Sequence, residues 1–431
     1  MNDSTIEKQL RKYIVPNIFA MLGISCYILA DTFFISCAAG ANGITALNLT
    51  LPIYSLIYAF GSMLGMGFAT RYMLMREDTD DSSGKMFSYA VEWEILLSLP
   101  FILAGMFCPG AVLQLMGADE EILATGVTYL RIALLFAPCF MLNFTFTAFV
   151  RNDYAPKLAM AATLLSSLFN IVFDYIFMFP CGMGMRGAAL ATGLSPVVSM
   201  LICMAHFLSE NNTIHFRRIR PAFFPLIRAC RTGISYFIGE IASGLTTAAF
   251  NYILLGLVGN VAVAAYGVVA NFALVATSVF NGISQGQQPV ISELYAQSSR
   301  DGVKRAEKHS LQISLGVAIA LLACVLVFAN ELAELFNSEH SAVLARYATQ
   351  GLRIYFTGFL FAAVNIVRAG YFSAIDAPGK SFVISMSRGV VSIVAFAFLL
   401  SRLWGIYGVW LSFPAAELFT LLISGRFSRG E

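Results

Sequence analysis

Charge is scarce in this sequence. Asp, Glu, Lys and Arg together make up 12% of its 431 residues, against about 25% in a soluble domain, and the shortfall runs the whole length of the chain. Water is therefore not the solvent for most of this surface, which excludes a soluble enzyme and a disordered chain. A surplus of one sign is lacking too. The 27 basic and 25 acidic residues leave +2, too even a balance to grip a polyanion, so no nucleic-acid partner is expected. The eight cysteines form no CxxC pair and keep no regular spacing, which argues against a disulfide framework or a zinc site. None of the four histidines (His206, His215, His309, His340) sits clearly at mid-membrane, so a histidine proton relay is not expected. No nucleophile–base or metal-ligand cluster stands out, so the reading is not an enzyme and no cofactor is expected. The opening MNDSTIEKQLRK is polar for too long to be a signal peptide.

What is abundant is apolar. Hydrophobic residues make up 58% of the chain, and a membrane-spanning helix needs about 20 of them in a run. Twelve such runs can be read, at 13–38, 45–70, 86–110, 124–149, 157–180, 186–209, 230–257, 261–290, 308–334, 347–373, 379–401 and 405–425. The expected fold is all-α, a polytopic membrane protein. Cytoplasmic loops carry the Lys/Arg excess. With this spacing 21 of the 27 basic residues, Arg388 among them, fall on one side and 5 on the other, with Arg368 inside a span. Both termini should face the cytoplasm, which twelve spans satisfy.

The chain also repeats itself. GANGITAL (Gly40–Leu47) answers GNVAVAAY (Gly259–Tyr266) at a shift of 219, and YLRI (Tyr129–Ile132) answers GLRI (Gly351–Ile354) at 222. Ala155-Pro156 answers Ala377-Pro378 at 222, and GMRGAAL (Gly184–Leu190) answers GIYGVWL (Gly405–Leu411) at 221. Six spans per copy give parallel repeats, an arrangement in which transporters bind substrate between lobes and alternate access by rocking. The expected domains are an N-terminal lobe, 1–210, a cytoplasmic linker, 211–229, and a C-terminal lobe, 230–431.

An ionisable group at mid-bilayer costs at least about 2.5–3.5 kcal/mol, so each one needs a reason. Asp31 lies well inside the first span and Asp174 inside the fifth, with Asn170 four residues before it and therefore on the same helix face. A carboxylate beside a carboxamide suits a hard cation, and two carboxylates facing one cavity suit a shared proton. In the second half Glu240 stands about ten residues into the seventh span, and Asn251 holds nearly the place that Asp31 holds in the first. Glu92 and Glu94, two residues apart, point to different faces, so one of them should reach the interface. NGISQGQQP (Asn281–Pro289) is polar for the interior of the eighth span, which suggests a water-lined face with Gln285, Gln287 and Gln288 as cavity groups. Gly61, Gly65 and Gly67 have the small-residue spacing of closely packed helices. Pro16 and Pro52 can bend theirs.

Twelve spans in two repeats, Pro16 followed by ADTFFI around Asp31, GITALNLTLP, the Asn170/Asp174 pair, and the later strings GEIASG, VAAYGVV and GISQGQQPVIS together resemble the multidrug and toxic compound extrusion (MATE) family, in its bacterial DNA-damage-inducible and multidrug-export branch. The resemblance implies a secondary antiporter that exports organic, commonly cationic and aromatic, compounds against inward H+ or Na+. It implies a cation site at Asp31, Asn170 and Asp174, with Na+ held there only transiently, and a helix bend at Pro16. A second-lobe polar or substrate site would draw on Glu240, Asn251, Gln285, Gln287, Gln288 and Asn365, with Asn365 the nearest polar candidate where some members have a tenth-span Asp. The expected partners are a small organic substrate and the lipid bilayer of the cytoplasmic membrane, and the expected state is a monomer. The alternative is a lipid-linked oligosaccharide flippase of the same superfamily, which would favour a strongly cationic cavity.

Overall fold

The computed structural model describes residues 3–75, 85–118, 120–210, 212–217, 221–334 and 341–429. Among them the regular structure is helical throughout. In chain order the α-helices are α1 (Asp3–Leu74), α2 (Met86–Phe107), α3 (Pro109–Leu115), α4 (Glu120–Leu135), α5 (Ala137–Asn152), α6 (Pro156–Met178), α7 (Met185–Met204), α8 (Phe223–Leu257), α9 (Asn260–Ala296), α10 (Arg300–Glu334), α11 (Ala342–Tyr355), α12 (Phe359–Ala374), α13 (Pro378–Met386), α14 (Ser392–Trp404) and α15 (Ile406–Arg429). Among the described residues eleven stretches are long and apolar enough to cross a membrane, and α4 with α5, bent by 45° at Phe136, supplies a twelfth. The first two apolar runs both fall within α1, as two separate candidate spans, Asp3–Ala39 and Thr45–Leu74.

The repeat is written into backbone geometry. Tyr154 and Asp376, 222 residues apart, both adopt left-handed φ, at 63° and 56°, a conformation uncommon for a residue with a Cβ. Each precedes an alanine N-cap, Ala155 (φ −115°, ψ 52°) and Ala377 (φ −111°, ψ 60°), and then a proline at the helix start, where the missing N–H costs nothing. Gly184 (φ 52°, ψ −131°) and Gly405 (φ 57°, ψ −133°) make the same turn into α7 and α15. The break at Phe136 before α5 recurs as the 3-10 turn Phe356–Gly358 before α12.

The chain divides into two compact units. The first comprises Val15–Glu240 with Ala296–Ser298, and the second Met1–Ile14, Ile241–Tyr295 and Ser299–Glu431. The division falls inside α8, at Glu240/Ile241, and not within 211–229, and it splits α1 beside Pro16. In the first unit the glycines of α1 set the spacing. A Cβ on Gly61 would come within 2.8 Å of Met141 Cα, and one on Gly65 within 2.8 Å of the Phe144 and Thr145 backbone. Gly67 abuts the Ala229 backbone on a second face. In the second unit Ser284 donates to the Ile366 carbonyl, Gln287 Nε2 to Val367 O at 2.6 Å, and Ser292 to Ala374 O at 3.0 Å. The polar stripe of α9 therefore binds α12.

The expected linker is fastened to the first unit. Buried Asp153, at the C-cap of α5, accepts from Tyr72 Oη (2.9 Å), from the Thr213 N–H (2.8 Å) and hydroxyl (2.6 Å), and pairs with His206 Nε2 (2.8 Å). Burial works against its charged form, but these hydrogen bonds outweigh it and hold the Asp153 carboxyl below the usual carboxylate range. The Arg217 N–H donates to Ser88 Oγ, and Trp93 Nε1 to the Ala222 carbonyl.

Candidate functional site

The first unit brings together the residues that the sequence singled out there. Along α6 the buried side chains Ala159, Ala162, Ser166, Asn170, Asp174 and Met178 recur at steps of three and four, the period of one helix face. A Cβ on Gly23 would touch Leu164 and Ser167, so α1 lies against α6. Eight residues on from Gly23 along α1, and seven on from Ser167 along α6, Asp31 and Asp174 come within hydrogen-bonding reach of each other. The near-equal steps are those of two helices running side by side in the same direction. Helix α7 closes the third side. Its Gly187 sits against the Phe177 and Met178 backbone, and its Thr192 meets Asn170.

Asp174 and Asn170 have no exposed surface and Asp31 is 7% exposed. In the amide orientation that satisfies both ends, Asn170 Nδ2 donates to Asp174 Oδ2 at 3.2 Å while its oxygen accepts from the Thr192 N–H at 3.3 Å. Asp31 Oδ1 and Asp174 Oδ1 keep no hydrogen-bond partner among the described residues. Two carboxyls, a carboxamide and a threonine hydroxyl thus converge in an apolar bundle, with two carboxyl oxygens uncommitted. Such a set can take up a proton or coordinate a small hard cation.

Aromatic groups surround it. Tyr27 and Tyr58 lie near each other, and Tyr54 Oη donates to Tyr129 Oη at 3.5 Å. Tyr54, Tyr58, Phe140 and Phe144 pack ring edge to ring face with centroids 5.5–5.9 Å apart. Phe34, one turn beyond Asp31, contacts Tyr175 and Phe179. Sequence reasoning passed over these tyrosines. The usable signal was Tyr54 and Tyr58 at i,i+4, two phenols on one face of an apolar span.

The other expected residues do not form one site. Half-buried Glu240 ends the first unit's Val15–Glu240 segment, whereas the other expected second-lobe residues fall in the second unit. Asn251 and Gln285 are half-buried in the second unit. Gln287 and Gln288 have no exposed surface, which corrects the water-lined face expected of them: Gln287 is spent on α12. Glu94 is also fully buried and accepts from Thr145 Oγ1 at 2.8 Å, so it is not the glutamate at the interface. Pro16 stands next to Asn17, whose Oδ1 accepts from buried Arg151 at 2.9 Å.

Asn365 lies in a separate polar network of the second unit. Its Nδ2 donates to Glu417 Oε2 and to the Glu417 carbonyl, both at 2.8 Å, and its Oδ1 accepts from Ser424 at 3.2 Å. Glu417, 1% exposed, is paired with Arg388 at 2.7 Å. Arg388 is thus not a cytoplasmic loop charge: it stands ten residues past Pro378, about 15 Å along the helix.

Comparison with known proteins agrees with this architecture. The MatE family profile matches residues 16–176 and 237–399, two stretches separated by the repeat shift. The multidrug export protein MepA of Staphylococcus saprophyticus is 26% identical over 422 residues, covering 97% of this chain and 92% of that protein. MepA of Staphylococcus aureus is 26% identical over 418 residues, covering 96% and 91%. Among solved structures, an outward-facing multidrug resistance MATE family transporter of the MOP superfamily superposes with a TM-score of 0.92 at 22% identity, over 99% of this chain and 95% of that one. A MOP superfamily transporter from Pyrococcus furiosus superposes with a TM-score of 0.90 at 21% identity, over 99% and 95%.

Proposed function

The chain belongs to the MatE family of membrane transporters, and from that premise we propose that it is a secondary antiporter that exports organic, cationic or amphipathic aromatic compounds in exchange for inward H+ or Na+. The observation that carries the reading is the Asp31–Asp174 carboxyl pair, with Asn170 and Thr192, enclosed in an apolar three-helix contact. Two adjacent buried carboxylates are costly when both are ionised and unpaired. Binding a cation relieves that cost, and releasing it restores the cost, so the local packing of α1 against α6 depends on the cation. The tyrosines beside the pair offer ring faces that attract an organic cation. Each positive charge moving inward yields about 2.3 kcal/mol per 100 mV, enough for tens-fold accumulation of an exported compound. The MepA relatives are named for multidrug export, which supports a broad substrate range. The setting proposed is the cytoplasmic membrane with both termini inside, two lobes alternating access, and a monomer as the working unit.

The flippase alternative needs span-embedded cations available to a pyrophosphate. Arg368 is engaged by Glu307 at 3.7 Å and donates to Ser424, and Arg388 is engaged by Glu417, which disfavours it.

The test is efflux of a fluorescent cationic dye from proteoliposomes with proton and sodium gradients imposed separately. Export should follow one gradient and vanish in Asp31→Asn at wild-type abundance. Undiminished export by that variant would sink the assignment.

A further inference from the structure

The second unit carries a buried carboxylate of its own, and it is already matched. Glu417 Oε1 accepts from Arg388 Nη2 at 2.7 Å, and Oε2 accepts from Arg388 Nε at 3.4 Å and from Asn365 at 2.8 Å. Ser424 bridges Asn365 to Arg368, which faces Glu307. Two acids and two guanidiniums therefore alternate through one network.

The repeat shows where this network sits. Arg388 stands ten residues after Pro378, as Ser166 stands ten after Pro156 (378 + 10 and 156 + 10). Glu417 stands twelve after Gly405, as Pro196 stands twelve after Gly184 (405 + 12 and 184 + 12). In the first unit Ser166 Oγ donates to the Ser195 carbonyl at 2.6 Å, between the same two helices, one turn from Asn170 and Thr192. The counterparts of Asn170 and Asp174, 14 and 18 residues after the proline, are Ser392 and Phe396. The second unit has thus lost the acid at that place and holds a carboxylate–carboxamide pair, Glu417 and Asn365, one turn away. Arg388 reaches it from the π-helical segment Ser387–Val391. A π-bulge inserts one residue into the helical register and re-aims the side chains around it. Ser387 Oγ bonds Ser392 Oγ and Thr420 Oγ1 there and holds the segment to α15.

We infer that Arg388 is a tethered cation: its guanidinium fills the position that an exchangeable monovalent cation would take at the Glu417–Asn365 site, so this site is permanently occupied and cation exchange is confined to the first unit. The confinement rests on the reading of Asp31 and Asp174 given above, whereas the occupancy does not. A planar guanidinium on a carboxylate satisfies both oxygens and forms no exchangeable complex. Removing it leaves a buried, uncompensated acid.

The experiment uses the purified full chain in detergent and reads thermal stability against added guanidinium and, separately, Na+, at low millimolar concentrations. Arg388→Ala should show a saturable rise in melting midpoint with one or both ions, over and above any that the native chain and Arg388→Ala/Glu417→Gln show through the first unit. A rise of the same size in the double variant, or none in Arg388→Ala, overturns the inference. A second arm guards against a variant that does not fold. Glu417→Gln alone should leave the number of radioactive sodium ions bound, and of protons released on dye binding, at native values. Loss of one ion or proton per chain in Glu417→Gln would make Glu417 an exchanging group and also overturn the inference. Asp31→Asn run in parallel separates the readings: failure of the first-unit assignment changes that variant alone and leaves the Arg388→Ala result standing.

Discussion

Replacing Gly65 by alanine is a demanding test of the packing, because helix propensity and tertiary contact pull in opposite directions. In a helix interior alanine is favoured over glycine by about 1 kcal/mol. At Gly65 the added Cβ would lie 2.8 Å from Phe144 C and Thr145 N, against 3.4 Å at the near edge of ordinary contact. The shortfall is 3.4 − 2.8 = 0.6 Å. Both obstructing atoms are backbone, so no side-chain rotation relieves it and α5 must move as a body. Overpacking of this kind costs about 1–3 kcal/mol, and the shift also pulls Thr145 away from Glu94, whose buried carboxyl it caps. The net expectation for Gly65→Ala is destabilisation by about 1–2 kcal/mol. The control is Gly316→Ala on α10, where a Cβ meets nothing within 4 Å and the propensity gain of up to about 1 kcal/mol stands alone. Midpoints from thermal denaturation in detergent, followed by size-exclusion of the remaining folded protein, should fall for Gly65→Ala and hold or rise for Gly316→Ala. A Gly65→Ala midpoint equal to or above that of Gly316→Ala would refute the reasoning.

Three further outcomes are expected. Asp153→Asn should cost about 1.5–3 kcal/mol through weakened charge-assisted hydrogen bonds and expose the 212–217 segment to protease. Because the folded Asp153 carboxyl is held below its usual range, its contribution is complete above the unfolded value, near 3.9, and is lost as pH falls through the folded one. Thermal melts of native and Asp153→Asn chains should therefore converge on acidification, and a gap that widens would contradict this. Arg151→Met should remove the bond to Asn17 and destabilise by about 1.5–3 kcal/mol, visible as faster labelling of a cysteine placed near Pro16; unchanged labelling would mean that α1 is fixed by other contacts. Gln287→Leu removes the bond from Gln287 Nε2 to the Val367 carbonyl, which keeps its acceptor role inside α12, and should cost about 0.5–1.5 kcal/mol in a chemical-denaturation series.

Much of this was legible beforehand because membrane physics leaves strong marks in sequence. Span number follows from hydropathy, and the repeat from matched turn residues such as Ala155-Pro156 and Ala377-Pro378. Asp31, Asn170 and Asp174 announce themselves because an acid in an apolar run demands a reason and a four-residue spacing fixes a face. The misreadings have a common origin, since partners come from helices distant in sequence. Arg388 was counted with the cytoplasmic charges although the span read at 379–401 contains it, because nothing local reveals the π-helical segment at Ser387–Val391 or the Glu417 partner on α15. Gln287 looked wet because a glutamine bonded to a backbone carbonyl and one bonded to water read the same. Tyr27, Tyr54, Tyr58 and Tyr129 were lost among seventeen tyrosines until the fold set Tyr54 of α1 against Tyr129 of α4.

The splitting of α1 at Ile14/Val15 bears on how the protein is made. Ile6, Leu10 and Ile14 are fully or almost fully buried, and the turn before Pro16 rests on Gly286. These residues leave the ribosome well before Ile241–Tyr295 and Ser299–Glu431, the segments with which they form the second unit. During synthesis of the first repeat the start of the chain therefore has no finished site to dock into, and its apolar face must wait in the lipid or on a chaperone. Insertion of the second repeat closes the wait. Two half-length polypeptides cut at the linker would not be two finished folds: the latter half would lack a helix that only the former half carries.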